Sequence, residues 1–361
     1  MKLSGPVSVE RFERKEPRMR LACSSLLVAL LFPQATLAQD LVSARARMSK
    51  ADAAEEHWDL DARFESGHFV MARFFITNAG PGIHTAVATG HIVFPDGHTK
   101  PFTNGRRVGK WRLANDGLLL DVGSSDFDLA GPVRRLDVDN HKRGIKIHLK
   151  IQADPARARS EPLLPGYQVD LLDLAAPVSG SLWTSEMTAP VQVRGHATLT
   201  HSWMDRAESS LVQQRIDTFG RKNNRAIWFQ RLTTPSGETR SWLLIEEAGR
   251  PSYSSTALET SLQGRAPGWD KAEYPIPAHL ELGNAGVIGG VDLQRIVLSH
   301  DPSQDLPQPF RLLLSFRSRP WRVWTDSSIA VNMNGSGEHG PPQLHAAGTT
   351  SVTFLNPTTT P

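Results

Sequence analysis

Short apolar runs alternate with turn residues along most of the chain. Phe69-Val-Met-Ala-Arg-Phe-Phe-Ile-Thr77 and His84-Thr-Ala-Val-Ala-Thr-Gly-His-Ile-Val-Phe94 are rich in β-branched and aromatic residues, and Pro95-Asp-Gly-His98 is a tight-turn sequence. The same pattern predicts strands at 110–113, 118–122, 127–129, 144–151 and 167–174. A second series follows at 212–219, 226–234, 241–247, 253–262, 279–282, 291–299, 310–316 and 322–331. Asn223-Asn224 and Pro235-Ser-Gly237 read as hairpin turns. Helical character is confined to a short stretch around 43–56, and the tail 349–361 reads as frayed. The pattern predicts an all-β protein of two antiparallel barrels or sandwiches that meet near residue 205.

Charge narrows the choice of partner. The 361 residues carry 40 Lys+Arg against 37 Asp+Glu. Residues 1–38 hold six of the basic residues and three of the acidic ones, which leaves 34 of each sign beyond them. Arg18-Met-Arg20, an apolar run from Leu21 to Phe32, and small residues at Thr36 and Ala38 describe a secretory signal peptide cleaved after Ala38, with Met1 or Met19 as its start. The run is too short to span a bilayer, and no later stretch is longer, so no integral membrane segment is expected in the mature chain. A neutral mature body has no surplus of Lys/Arg for phosphate contacts, so nucleic acid is not an expected partner. Cys23, the one cysteine, leaves with the signal, and a periplasmic or secreted destination is expected.

Candidate chemistry is sparse. The 13 histidines contain no His-x-His pair and no His-Glu-x-x-His, and His84, His91 and His98 are spaced by seven, which puts strand neighbours on opposite faces. No metal and no cofactor is expected. Nucleophile-elbow, phosphate-loop and dinucleotide motifs are missing. One segment stands apart: Val193-Arg-Gly-His-Ala-Thr-Leu-Thr-His-Ser-Trp-Met-Asp205. As a strand it places Leu199, His201, Trp203 and Asp205 on one face. An imidazole, an indole and a carboxylate there could move a proton beside an apolar ligand. A buried Trp with a hydrogen-bonded His is the plain structural alternative.

This segment resembles the Gly-x-x-x-Asp-His-x-Trp pattern of the lipocalin-like family of AttH proteins and carotenoid hydratases of the hydroxyneurosporene synthase type. His201 and Trp203 match it, Gly195 matches with one extra residue before the His, and Thr200 stands where the family has Asp. The stretch from Gly67 to Thr85 is similar to the family's N-terminal strands, with Asn78 and His84 at the positions of its Asn and following His/Thr. The resemblance implies two consecutive lipocalin-like antiparallel β-barrels or half-barrels, 39–205 and 206–361. It implies an apolar ligand, a lipid or isoprenoid, held in the first barrel or between the two, with Trp203, Trp58, His84 and Asn78 as binding residues. The leading expectation is an exported protein that binds a hydrophobic small molecule. The alternative is a cofactor-free hydratase, isomerase or cyclase in which His201, helped by Asp205, moves the proton. A carbohydrate-binding β-sandwich using the 9 Trp as stacking platforms is a third.

Overall fold

The computed structural model describes residues 44–79, 83–305, 318–333 and 343–357. The expected signal segment and the strand predicted at 310–316 lie outside the described residues. Strands β1 (Glu55–Phe64), β2 (Phe69–Thr77), β3 (Thr85–Val93), β4 (Thr99–Arg106), β5 (Arg112–Ala114), β6 (Leu119–Asp121), β7 (Ser125–Asp128), β8 (Val133–Asn140), β9 (Ile145–Gln152), β10 (Arg159–Leu164), β11 (Tyr167–Thr184) and β12 (Val191–Met204) form one sheet. Its order is β4-β3-β2-β1-β12-β11-β9-β8-β7-β6-β5, with β10 added on β11. A one-turn helix, α1 (Glu208–Leu211), leads to the second sheet. That sheet contains β13 (Gln214–Lys222), β14 (Arg225–Thr233), β15 (Thr239–Glu247), β16 (Arg250–Ser255), β17 (Glu259–Gln263), β18 (His279–Gly283), β19 (Val287–His300), β20 (Trp321–Met333) and β21 (Gln343–Phe354). Its order is β16-β15-β14-β13-β21-β20-β19-β18-β17.

Each sheet curls round its own core, as two consecutive lipocalin-like half-barrels. Trp58, Leu60, Phe74, Phe102, Phe127, Leu149 and Leu199 fill the first. Ile216, Phe229, Leu243, Val291, Val323 and Phe354 fill the second. Small barrels are packed by side chains unless something larger displaces them. A third cluster lies between the sheets, where Tyr167, Val169 and Met204 pack on Val212, Trp228, Trp242 and Leu355. No helix among the described residues is long and apolar enough to cross a membrane.

The structure departs from the pattern in four places. The expected helix at 43–56 is, from residue 44 to 54, an irregular strap, and Glu55 already belongs to β1. The tail read as frayed from 349 contributes half of β21, which sits between β13 and β20 with Phe354 fully buried. Its threonines and serines look like a solvated tail in isolation, but Thr349, Thr350 and Ser351 are buried by neighbours on both sides. The single strand predicted at 253–262 is two, β16 and β17. Finally β1, β4 and β8, rich in charged or polar residues, are strands the pattern passes over, and in β1 the polar face is covered by the second sheet.

Candidate functional site between the two sheets

Strand β1 separates two environments. Successive side chains point to opposite faces. Glu56, Trp58, Leu60, Ala62 and Phe64 turn into the first half-barrel, whereas Glu55, His57, Asp59, Asp61 and Arg63 turn toward the second sheet.

The inward face gathers most residues singled out from the sequence. His201 on β12 is the cross-strand partner of Trp58, fully buried, and stacks on its indole at 4.4 Å between centroids. Trp203 lies 4.9 Å away on the other side. The carboxylate that meets His201 is Glu56, whose Oε1 accepts from Nε2 at 2.8 Å. Asp205 is exposed at the strand end and accepts from Ser49 Oγ at 2.8 Å. The other contacts of this group run to the strap. Glu56 accepts from the backbone N–H of Arg47 and Met48, and Trp58 Nε1 donates to Ala44 O. Asn78 Nδ2 donates to the carbonyls of Ser49 and Ala51, and His84 Nε2 donates to Ser49 O at 3.0 Å. The Arg47 guanidinium covers the Trp203 ring at 4.5 Å. Residues 44–51 of the chain itself are therefore what these side chains hold. Around them, the half-barrel interior is filled by its own aliphatic and aromatic residues.

The outward face opens on a cavity of about 170 Å³ between the sheets. Met71 and Phe75 from β2, Pro302, Pro320 and Leu355 give it apolar walls. Glu55, His57, Arg73 and Arg322 close its polar end. Behind them is a buried ionic cluster that joins the sheets. Asp59 accepts from Arg73 Nε and Nη2 at 2.6 and 2.7 Å, from Arg215 Nη2 at 3.0 Å and from Arg322 Nη1 at 3.0 Å. Glu208 on α1 accepts from Tyr167 Oη at 2.9 Å and from Arg215 Nη1 at 3.0 Å. His57 lies between them, with Nδ1 3.2 Å from Asp59 and Nε2 3.7 Å from Glu208.

These positions set the proton affinities. Burial works against the charge of Asp59, but Arg322, Arg73 and Arg215 outweigh it and hold that carboxyl well below its ordinary range. Burial likewise opposes ionisation of Glu208, and Arg215 and His57 reverse the effect. Glu55 stands apart. Burial pushes it up to about 7, against the pull of the Glu208 N–H that donates to its Oε2 at 2.9 Å. It is only half-buried and lines the cavity, so a carboxyl that gains and loses a proton near neutral pH faces any occupant. Sequence reasoning passes over Glu55, His57, Asp59 and Arg73. Their signal is the alternation of polar and apolar residues in His-Trp-Asp-Leu-Asp-Ala-Arg-Phe, which marks a strand with two different faces.

No family model matches the chain, and no curated protein matches it by sequence. Solved structures match its fold. CghA, crystallised with Sch210972, is 13% identical over 84% of this chain and 89% of its own, with a TM-score of 0.60. A protein from Nitrosomonas europaea assigned as AttH is 10% identical over 84% of this chain and 93% of its own, at 0.59. Kievitone hydratase from Nectria haematococca is 10% identical over 88% and 93%, at 0.56. At such identities the likeness establishes the shared lipocalin-like fold of the AttH type.

Proposed function

We propose that the protein, built on this shared fold, binds an apolar small molecule of the lipid or isoprenoid class in the cavity between its two sheets. One observation carries the reading: a cavity with apolar walls from both sheets is closed at its polar end by the Glu55 carboxyl beside Arg73 and Arg322. The filled interior of the first half-barrel argues for the same place. A surface carbohydrate platform draws less support, since none of the nine tryptophans is exposed. The expected test is direct. Organic extraction of the purified protein should yield an apolar compound, and fatty acids or polyenes should quench its Trp fluorescence. Ala207→Trp, which fills the cavity wall, should abolish that quenching. Quenching that survives Ala207→Trp but disappears in His201→Asn would move the ligand into the half-barrel.

Glu55 favours a second, enzymatic reading: a cofactor-free hydratase or isomerase that passes a proton to or from an unsaturated substrate. That one fold neighbour is a hydratase by name lends this reading weight. Glu55→Gln should retain ligand and lose turnover; full turnover in that variant would remove the enzymatic reading. We propose also that residues 1–38 direct export and that 39–205 and 206–361 are the two lipocalin-like units. N-terminal sequencing of the protein from a periplasmic or culture fraction should begin at Gln39.

A further inference from the structure

A second cavity opens between the sheets at the far end of the same row of β1 side chains. It measures about 150 Å³ and lies between the turns that follow β1 and β3 on one side and β19 and β20 on the other. Phe69 and Val93, packed on each other, supply apolar wall. Its charged groups are Arg63, Arg295 and Asp326, with His68 beside them. Arg63 donates through Nε to Thr349 and through Nη2 to Asp326 Oδ1. Arg295 reaches Asp326 Oδ2 through Nε at 2.9 Å and Nη2 at 2.8 Å. Two permanent cations thus share one carboxylate, and the Nη1 amino group of each lies outside these bonds. The wall itself is irregular here. Register between β19 and β20 breaks between Leu293 and Ile296 and again before Leu298, and such bulges concentrate beside sites where a side chain must be re-aimed.

We propose that this cavity is a binding site for a small monocarboxylate with a flat apolar body, of the aryl carboxylate class, its head taken by Arg63 and Arg295 and its ring by Phe69 and Val93. The excess of one positive charge matches a monoanion and would be overcompensated by a phosphate dianion. Guanidinium forks bind carboxylates through paired, charge-assisted hydrogen bonds. A cavity of about 150 Å³ is the size that accepts one benzene ring. His68, its proton affinity lowered by burial, adds no third cation; its Nδ1 is 2.9 Å from Ser66 Oγ. The site is separate from the Glu55 cavity, and its existence does not depend on what that cavity binds.

The test is a titration of the purified mature chain by calorimetry and ligand-observed NMR, with benzoate, benzamide and inorganic phosphate as probes. Benzoate should bind saturably with a Kd below about 10 mM, and benzamide should not. Arg295→Gln, on an exposed side chain, should weaken benzoate by about tenfold or more, and Arg63→Lys, which keeps the charge but loses the fork, should weaken it as well. Ala207→Trp, in the other cavity, should leave benzoate binding unchanged. Unsaturable benzoate, equal affinity in Arg295→Gln, phosphate bound in preference, or loss of benzoate in Ala207→Trp alone would each overturn the proposal.

Discussion

The two faces of β1 use similar residues to different ends. On the inward face, an imidazole, two indoles and a carboxylate converge with good geometry, yet the groups left over from their mutual contacts bind the strap at 44–51. On the outward face, Asp59 is saturated by arginines from both sheets and Glu208 is held by Arg215 and Tyr167, while the neighbouring Glu55 keeps its carboxyl beside apolar space. The difference teaches that a cluster of chemically capable side chains is a candidate site only where the chain has left room for something else. Residue type cannot supply that information, because a strap and a ligand offer the same carbonyls and N–H groups.

The comparison breaks most sharply at Asp59. Asp59→Ala leaves Arg73, Arg215 and Arg322 facing one another without their shared anion, in a largely buried seam. The expected loss is about 3–5 kcal/mol, the cost of orphaning buried charge, read as a fall in the urea midpoint. Glu56→Gln tests the inward face. Its amide oxygen can still accept from His201 and from the Arg47 N–H, but its NH2 group meets the Met48 N–H donor and loses that bond, which should cost about 1–3 kcal/mol. Its distinguishing readout is limited proteolysis, with new cleavage between residues 44 and 54 and ligand uptake unaltered.

A smaller effect comes from pH, and its sign separates the outward carboxyls. Burial raises Glu55 and Asp61 from their ordinary 4.5 and 3.8 to about 7. Between those values the folded chain holds protons that the unfolded chain has released, so stability is greatest below the lower values and falls as pH rises toward 7 and beyond. Asp59 and Glu208 act in the opposite sense: their contribution is present above the ordinary carboxylate range and is lost in acid. Thermal unfolding followed from pH 4 to 9 should therefore show a maximum on the acid side of neutrality. Asp61→Asn should flatten the alkaline limb, and an unchanged limb would mean that Asp61 is ionised in the fold. The smallest effect is expected at Asp205. Asp205→Asn sits on an exposed bond to Ser49 and should change stability by no more than about 0.5 kcal/mol, with ligand uptake intact.

Much of the architecture was legible because strand period and turn residues are local. Phe69–Thr77 coincides with β2 at both ends, and the turns at Asn223-Asn224 and Pro235-Ser-Gly237 join β13 to β14 and β14 to β15. The segment set apart by its His and Trp forms β12, where His201 faces inward and stacks on Trp58. Legibility failed where burial comes from the other sheet. Glu55–Phe64 looks half solvated until Arg215 and Arg322, more than 150 residues away, neutralise its polar face. The threonine-rich C-terminal strand fails for a related reason: β20 directly precedes it, but the neighbour on its other side, β13, is distant in sequence.

By itself, then, the sequence determined an all-β chain in two series of short antiparallel strands, a charge-balanced body beyond residue 38, and a strand that presents His201 with Trp203. Those properties follow from residue type at a period of two and from composition, and need no knowledge of distant neighbours. Which face of β1 is filled and which is open was decided only by tertiary structure. Volume and desolvation belong to no single segment: the same carboxyl is an anchor at Glu56, a saturated counter-ion at Asp59 and a proton-exchanging group at Glu55 according to what the rest of the chain packs against it.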